Sequence, residues 1–347
     1  MVEKVRAVMV GCGAIAGAWL PPCKEWDNLE IVGFVDILED RARQRSEEYG
    51  LKDAVVGTNL SEVLRQTKPD AVFDLTVPEA HVEVALTAFE HGCHVLGEKP
   101  LADSMENARK MVAAARQAGR IYSILQNRRY DPNIRRLKAF LESGKVGNIA
   151  QVNCDFYLGP HFGGFREDMD HALVLDMAIH TFDAARLISG ADPVSVYCKE
   201  WNPKHSWFTH GANAVAVFEM TGGIVYTYRG SWCNEGLPTT WESDWRISCD
   251  NGSVLWDGAD GFQAQHVVKR VECDGRGKEG KCEDAVIPSP PVGARIGGHG
   301  GAIREFLDCL QSGETPETTG TDNIKSLAMV FGAIESAQIG KPVEIEI

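Results

Sequence analysis

The apolar run Val5 to Val10 leads straight into Gly11-Cys12-Gly13-Ala14-Ile15-Ala16, and no other feature of the chain limits its fold as strongly. A strand that ends on G-x-G-x-x-A and opens a helix is the context in which that pattern carries meaning. Gly11 lets the chain turn sharply, Gly13 has no side chain to keep backbone away from a pyrophosphate, and the small Ala16 lets helix and strand pack closely. The helix N-terminus then offers N–H groups and the positive end of its dipole to phosphate oxygens. Asp36 closes the second apolar run about 20 residues further on, where a carboxylate accepts hydrogen bonds from adenosine ribose hydroxyls and repels a 2′-phosphate. Ile37 and Leu38 follow, with no Arg before Arg41, so the pattern predicts NAD in preference to NADP. A glycine-rich turn in a flavodoxin-like domain is the competing account, and the strand, the helix and Asp36 together outweigh it.

Short apolar runs then alternate with helical patterns, the signature of βαβ units around a parallel sheet. Strands are expected at Val5–Val10, Leu29–Val35, Ala71–Val77, His94–Gly97 and Ile121–Leu125, and helices at Glu39–Tyr49, Asn59–Gln66, Glu79–His91 and Ser104–Gln117. Asn59-Leu-Ser-Glu62 has capping-box spacing, Pro78 suits a first helical turn and Ser104 is a good N-cap. After Asn127 the texture changes. Helices are expected at Pro132–Ser143 and His171–Ile188. Strands rich in Val, Tyr, Phe and Trp follow, with turns at Thr221-Gly-Gly223 and Asp250-Asn-Gly252. Asp274–Asp284 reads as an exposed loop and Pro288–Gly301 as a connection, with Gly297–Gly301 a hinge into last helices at Ala302–Gln311 and Thr321–Ile339. The fold class predicted is α/β: an N-terminal Rossmann domain with a doubly wound parallel sheet over 1–125. An α+β domain with a mostly antiparallel open sheet follows over 126–347, its last helices free to pack back on the first domain.

A chain of 347 residues has room for about two domains of roughly 150. Its formal charge of −14, from 35 basic and 49 acidic side chains, repels nucleic-acid phosphates and anionic lipid, so neither is an expected partner. No stretch approaches the ~18 uninterrupted apolar residues of a membrane span, and the first apolar run lacks a cleavage-site pattern. The chain is therefore expected to begin with structure rather than with an address. Ten cysteines without Cys-x-x-Cys or regular spacing suggest buried thiols of a reducing compartment, hence a cytoplasmic protein, rather than disulfides or zinc. Ten histidines show no zinc-ligand spacing, and no metal is expected.

Glu98-Lys99-Pro100 follows the His94–Gly97 strand, at the carboxyl edge where open α/β sheets bind ligands. Proline holds the Lys99 backbone extended, a defined perch for an ammonium group. In the apolar stretch Ala172–Gly190, Asp176, His180 and Asp183 stand at i, i+4 and i+7 on one helical stripe. A buried polar stripe is costly unless it is hydrogen-bonded. A satisfied core histidine with a carboxylate partner is the bland account of any one such helix. Taken with Lys99 and the nucleotide turn, the cluster reads as catalytic.

The G-x-G-x-x-A turn with Asp36, Thr76-Val77-Pro78-Glu79-Ala80-His81, Glu98-Lys99-Pro100, Asn127-Arg-Arg-Tyr-Asp-Pro132 leading to Ser143-Gly-Lys-Val-Gly147, and Leu175-Asp-Met-Ala-Ile-His180 form an ordered set. It resembles the motif set of the glucose–fructose oxidoreductase, inositol dehydrogenase and MocA (Gfo/Idh/MocA) family, from Val5 to about Val343. The resemblance implies a Rossmann domain and an α+β domain whose open sheet often forms the subunit interface, hence a homodimer or homotetramer. It implies oxidation or reduction of a secondary alcohol on a sugar or cyclitol with NAD(P). It carries the family's lysine, aspartate and histidine to Lys99, Asp176 and His180, and sets Thr76, Val77, Pro78 and His81 beside the nicotinamide. Gly11, Cys12, Gly13, Ala14, Ile15, Asp36, Glu98 and Lys99 complete the expected cofactor contacts.

Alcohol oxidation needs a base for the hydroxyl proton and a group to stabilise the developing alkoxide. His180 is the candidate base, its imidazole having the ordinary pKa nearest neutrality. Asp176 would orient it or bind substrate, and Lys99 would hold the reacting oxygen; the three are expected to converge on the nicotinamide. Tyr157, His161 and Arg166 are candidates for reading hydroxyls or a carboxylate, and Asn127 and Arg128 for lining the cleft. Six of eight tryptophans, 201, 207, 232, 241, 245 and 256, fall in the second domain and are expected mostly in its core or an interface, one or two stacking on a sugar ring. The expected function is NAD-dependent hydride transfer on a sugar, sugar derivative or inositol. The alternatives are an NAD-retaining enzyme that oxidises a glycoside transiently, separated by whether NADH accumulates, and a ligand-sensing regulator on the same fold.

Overall fold

A computed structural model describes residues 4–271 and 280–347. The elements run β1 (Val5–Val10), α1 (Ala16–Lys24), β2 (Leu29–Val35), α2 (Glu39–Glu48), β3 (Val55–Gly57), α3 (Leu60–Thr67), β4 (Ala71–Asp74), α4 (Pro78–Glu90), β5 (His94–Gly97), α5 (Met105–Ala118) and β6 (Tyr122–Ile124). A 3₁₀ turn (Asn127–Tyr130), α6 (Pro132–Glu142), β7 (Ile149–Tyr157), a one-turn α7 (Phe165–Asp168), a π-helical turn (Leu173–Ala178) and α8 (Ile179–Ser189) follow. Then come β8 (Pro193–Trp201), β9 (Asn213–Met220), β10 (Val225–Ser231), β11 (Asp244–Cys249), β12 (Gly252–Trp256), β13 (Phe262–Lys269), β14 (Lys281–Asp284), α9 (Gly298–Ser312), α10 (Gly320–Ile339) and β15 (Val343–Glu344). Contacts divide the chain into two units: the chain through Tyr130 with Gly293–Leu327, and Asp131–Val292 with Ala328–Ile347.

The first unit is a Rossmann sheet in the order β3-β2-β1-β4-β5-β6, all pairs parallel. Its central strands are buried on both faces, as the unbroken apolar runs require: Ala7, Val8, Met9, Val72 and Phe73 are wholly inaccessible. Asn59 and Ser104 cap α3 and α5, their side-chain oxygens accepting the N–H groups of Glu62 and Asn107. β4 stops at Asp74 instead of running to Val77, because the Asp74 carboxylate takes the N–H and hydroxyl of Thr76 and turns the chain aside. β3 has no expected counterpart; its three residues fall below the length at which alternation or an apolar run is visible. Gly297–Gly301 is not a hinge. It leads into and forms the first turn of α9, and Gly301 is needed there, since a β-carbon would stand 2.9 Å from Tyr130 Cβ and 2.8 Å from Arg295 O. Phe306 of α9 meets Phe73 of β4 at 6.2 Å, and Phe73 meets Trp19 of α1 at 5.5 Å, in one core.

The second unit holds a nine-stranded sheet in the order β14-β13-β12-β11-β7-β10-β9-β8-β15, antiparallel except for β7 with β10. β9 alternates buried and accessible residues along its whole length, the period-2 pattern of a sheet with one packed face. Phe182 of α8 lies against Phe218 of β9 at 4.9 Å and Tyr228 of β10 at 5.3 Å. Lys281–Asp284, expected within a loop, is the edge strand β14: backbone pairing with β13 makes it a strand although every side chain is exposed. Residues 274–279 of that expected loop lie outside the described residues. So does Cys273. None of the nine described cysteines is in a disulfide; seven are buried, Cys249 is half-buried and Cys282 is exposed, against the expectation of buried thiols throughout. No helix among the described residues is long and apolar enough to cross a membrane.

Candidate active site

The glycine turn is tied down from behind. Gly11 has φ +88°, and a β-carbon there would lie 2.7 Å from the carbonyl of Leu75, so only glycine fits. Asp36, nearly buried, accepts the Cys12 N–H at 2.8 Å and the Leu38 N–H at 2.9 Å. Arg45, which no sequence signal marks, donates to the carbonyls of Cys12 (3.1 Å) and Gly13 (3.0 Å) and closes the turn from α2. The Cys12 side chain faces the core, where burial pushes its thiol up to about 12. The N–H groups of Gly13, Ala14 and Ile15 have no partner among the described residues, and a β-carbon on Gly13 would meet nothing within 4 Å. Ile15, Ile37, Leu38 and Val77 are exposed apolar side chains at the carboxyl ends of β1, β2 and β4. A cradle of unpaired donors beside a buried carboxylate, rimmed by apolar surface, fits a dinucleotide.

Along the same sheet edge, Thr76 is held by Asp74 at 2.6 Å, Val77 precedes Pro78 at the start of α4, and His81 is buried with its ring nitrogens facing the carbonyls of Thr76 (3.1 Å) and Leu101 (3.4 Å). His81 thus supports this loop from inside. Glu98 is buried, its carboxylate accepting the Trp19 indole N–H at 2.7 Å and the Lys99 backbone N–H at 3.0 Å, with His299 Nε2 4.0 Å away. Burial lowers the His299 pKa, the Glu98 charge acting the other way. Lys99 is half-buried and its bond to Pro100 is cis. Asn127 and Arg128 open the 3₁₀ turn; Arg128 is buried.

In the second unit Asp176 falls in the π-helical turn, and the regular α-helix begins at Ile179 with His180 next. The expected stripe of Asp176, His180 and Asp183 assumed α-helical winding throughout, whereas the turn that holds Asp176 is wound wider. Asp183 is fully buried near Arg186, which bonds Asp192 at 2.9 Å, and so belongs to packing. Arg166, from the one-turn helix, donates through Nε to Asp176 Oδ2 at 3.0 Å, while its guanidinium lies over Phe162 (5.4 Å) and Phe165 (5.0 Å). Two residues singled out for different roles are thereby brought together. The His161 ring stacks on Trp207 at 3.8 Å, and Tyr157 pairs with Thr239 through its backbone. Burial raises the Tyr157 pKa, and Asp155 adds to the effect. Trp232, Trp245 and Trp256 are core residues, whereas Trp201 and Trp241 are exposed. His171, at φ +55° just ahead of the π-helical turn, and Glu200 of β8 bond through Nδ1 and Oε2; neither was singled out from the sequence.

The Oxidoreductase family, NAD-binding Rossmann fold model matches residues 5–126, and the GFO/IDH/MocA C-terminal domain model matches residues 134–255. The chain is 27% identical to a myo-inositol 2-dehydrogenase of Thermotoga maritima, over 99% of each. It is 25% identical to a 1,5-anhydro-D-fructose reductase of Ensifer adhaerens, over 97% of this chain and 98% of that one. An Agrobacterium radiobacter oxidoreductase, solved in complex with NAD+, L-tartaric acid and magnesium, superposes with a TM-score of 0.84 at 21% identity over 99% of both chains. With both halves matched in order, the chain belongs to the GFO/IDH/MocA family of oxidoreductases.

Proposed function

We propose that the protein transfers a hydride between a secondary alcohol of a sugar, sugar derivative or inositol and NAD, with NADP disfavoured. The observation that carries this reading is the turn at Gly13–Ile15, whose three N–H groups have no partner among the described residues and stand beside the buried Asp36 carboxylate. That arrangement suits a pyrophosphate and an unphosphorylated ribose, and it repels a 2′-phosphate. The polyol class draws support from the inositol dehydrogenase and anhydrofructose reductase relatives. NAD, when bound, supplies the hydride acceptor or donor. Lys99 holds the reacting oxygen and stabilises its negative charge, and His180 takes the hydroxyl proton. Asp176, with Arg166 on one oxygen, orients the substrate or the imidazole. Asn127, Arg128, Tyr157 and His161 bind further parts of the substrate.

NAD reduction is to be followed across hexoses, pentoses, inositols and amino sugars. On the substrate so found, Lys99→Met and His180→Ala each lower turnover by about 10² to 10⁴-fold. Turnover within a few-fold of the parent in both variants overturns the assignment. The assembly we propose is a homodimer or homotetramer, joined through the accessible face of β8 and β9, where Tyr197 and Val217 lie opposite one another and are 45% and 40% exposed.

A further inference from the structure

A helical turn wound wider than its neighbours needs something to hold it, and the residues just ahead of Leu173–Ala178 do so. His171 occupies the left-handed region at φ +55°, which a β-carbon disfavours and which His tolerates better than most side chains. Its carbonyl accepts the Leu175 N–H at 2.8 Å, and the carbonyl of Gly211 faces the Leu173 N–H at 3.4 Å. Glu200 of β8 joins both anchors: its carboxylate bonds the His171 imidazole, and a β-carbon on Gly211 would run into it. The other ring nitrogen of His171 lies 3.3 Å from the Gln338 amide of α10. The Glu200 side chain is 8% exposed, and its Oε1 has no hydrogen-bond partner among the described residues. A carboxyl group so enclosed is costly unless it is hydrogen-bonded or paired, and His171 is the partner beside it. Asp176, next after Leu175, is the residue this scaffold delivers.

We propose that His171 and Glu200 form a latch, with His171 a positioning residue that sets where Asp176 stands without touching substrate. This rests on the reading of Asp176 as part of the reaction chemistry. The charged groups acting on His171 are Glu200 from β8 and Asp170 from its own loop, itself 3.3 Å from His210. The Cys198 thiol of β8, pushed up to about 12 by burial and then by Glu200, stays uncharged, and α10 contributes the neutral Gln338 amide. The hydrogen bond to Glu200 raises the His171 pKa against the lowering effect of burial. A raised imidazole pKa means that the charged latch is complete below about 6.5 and is lost as pH climbs through the raised value.

The test uses the full-length protein with three variants, His171→Asn, Glu200→Gln and Asp176→Asn. Asn also tolerates the left-handed region but is uncharged and shorter. Amide exchange without cofactor or substrate reads the latch directly: the protection factors of Leu173–Ala178, corrected for the intrinsic pH dependence of exchange, fall about tenfold in H171N, and in the parent at alkaline pH, while NAD affinity is unchanged. With the substrate found above, H171N and E200Q lower kcat about tenfold to a hundredfold with KM little altered, and H171N loses the parent's alkaline decline in kcat. An imidazole titrating at or below about 6.5 in the parent, or unchanged exchange and pH profile in H171N and E200Q, overturns the latch. If those variants behave as the parent while D176N is inactive, the latch alone falls. If D176N turns over like the parent, the role given to Asp176 falls, and the catalytic purpose of the latch with it.

Discussion

Gly11 and Gly13 stand two residues apart and answer to different demands. The first is imposed by the protein itself, through a positive φ and the carbonyl of Leu75; the second meets no protein atom that would exclude a side chain. Gly11→Ala is therefore expected to destabilise the fold by about 1–3 kcal/mol, read from denaturant unfolding. Gly13→Ala should leave the melting temperature nearly unchanged while weakening NAD binding about tenfold or more by calorimetric titration. Equal stability loss in both variants would remove the distinction. Legibility follows the same division. Gly11, Gly13 and Asp36 were readable because a tight turn, an open approach to the backbone and a strand-end carboxylate recur at fixed spacing in the dinucleotide-binding pattern. Arg45, Trp19, His171 and Glu200 were not, since each acts across 29 to 79 positions, on a partner that only folding brings near.

At the scale of elements, what was legible is what local chemistry decides. Ser104 caps α5, as its place in the sequence predicts, and the left-handed Gly119 ends it. Ser104→Ala should cost about 1 kcal/mol in unfolding free energy with substrate kinetics untouched. A neutral result would mean that the bond from the Asn107 N–H to Ser104 Oγ adds no net stability. β14 escaped notice because its strand character comes from pairing with β13 and not from any apolar side of its own. The π-helical turn escaped for a related reason: periodicity assumes one helical pitch, and the widening at Leu173–Ala178 depends on anchors at Gly211 and Glu200, beyond the helix.

At the scale of the whole molecule, the accessible sheet face bears on assembly. Tyr197 and Val217 lie side by side there, and Thr227, paired with Val217 on the other flank, bonds Asn153 at 2.5 Å. Light scattering should give a multiple of 38.0 kDa for the parent, and Val217→Glu should shift it toward one copy. A parent that scatters as a single chain at micromolar concentration rules out this use of the face.

The first unit also has a bearing on synthesis. Ala302, Ile303, Phe306 and Leu307 share a core with β1, α1 and β4, although about two-thirds of the polypeptide or more separates them along the chain. A ribosome must therefore emit nearly the entire message before the nucleotide-binding half can close. A fragment cut after Tyr130 would leave Phe73 and Trp19 uncovered, and should be recovered in inclusion bodies unless Gly293–Leu327 is supplied in the same cell.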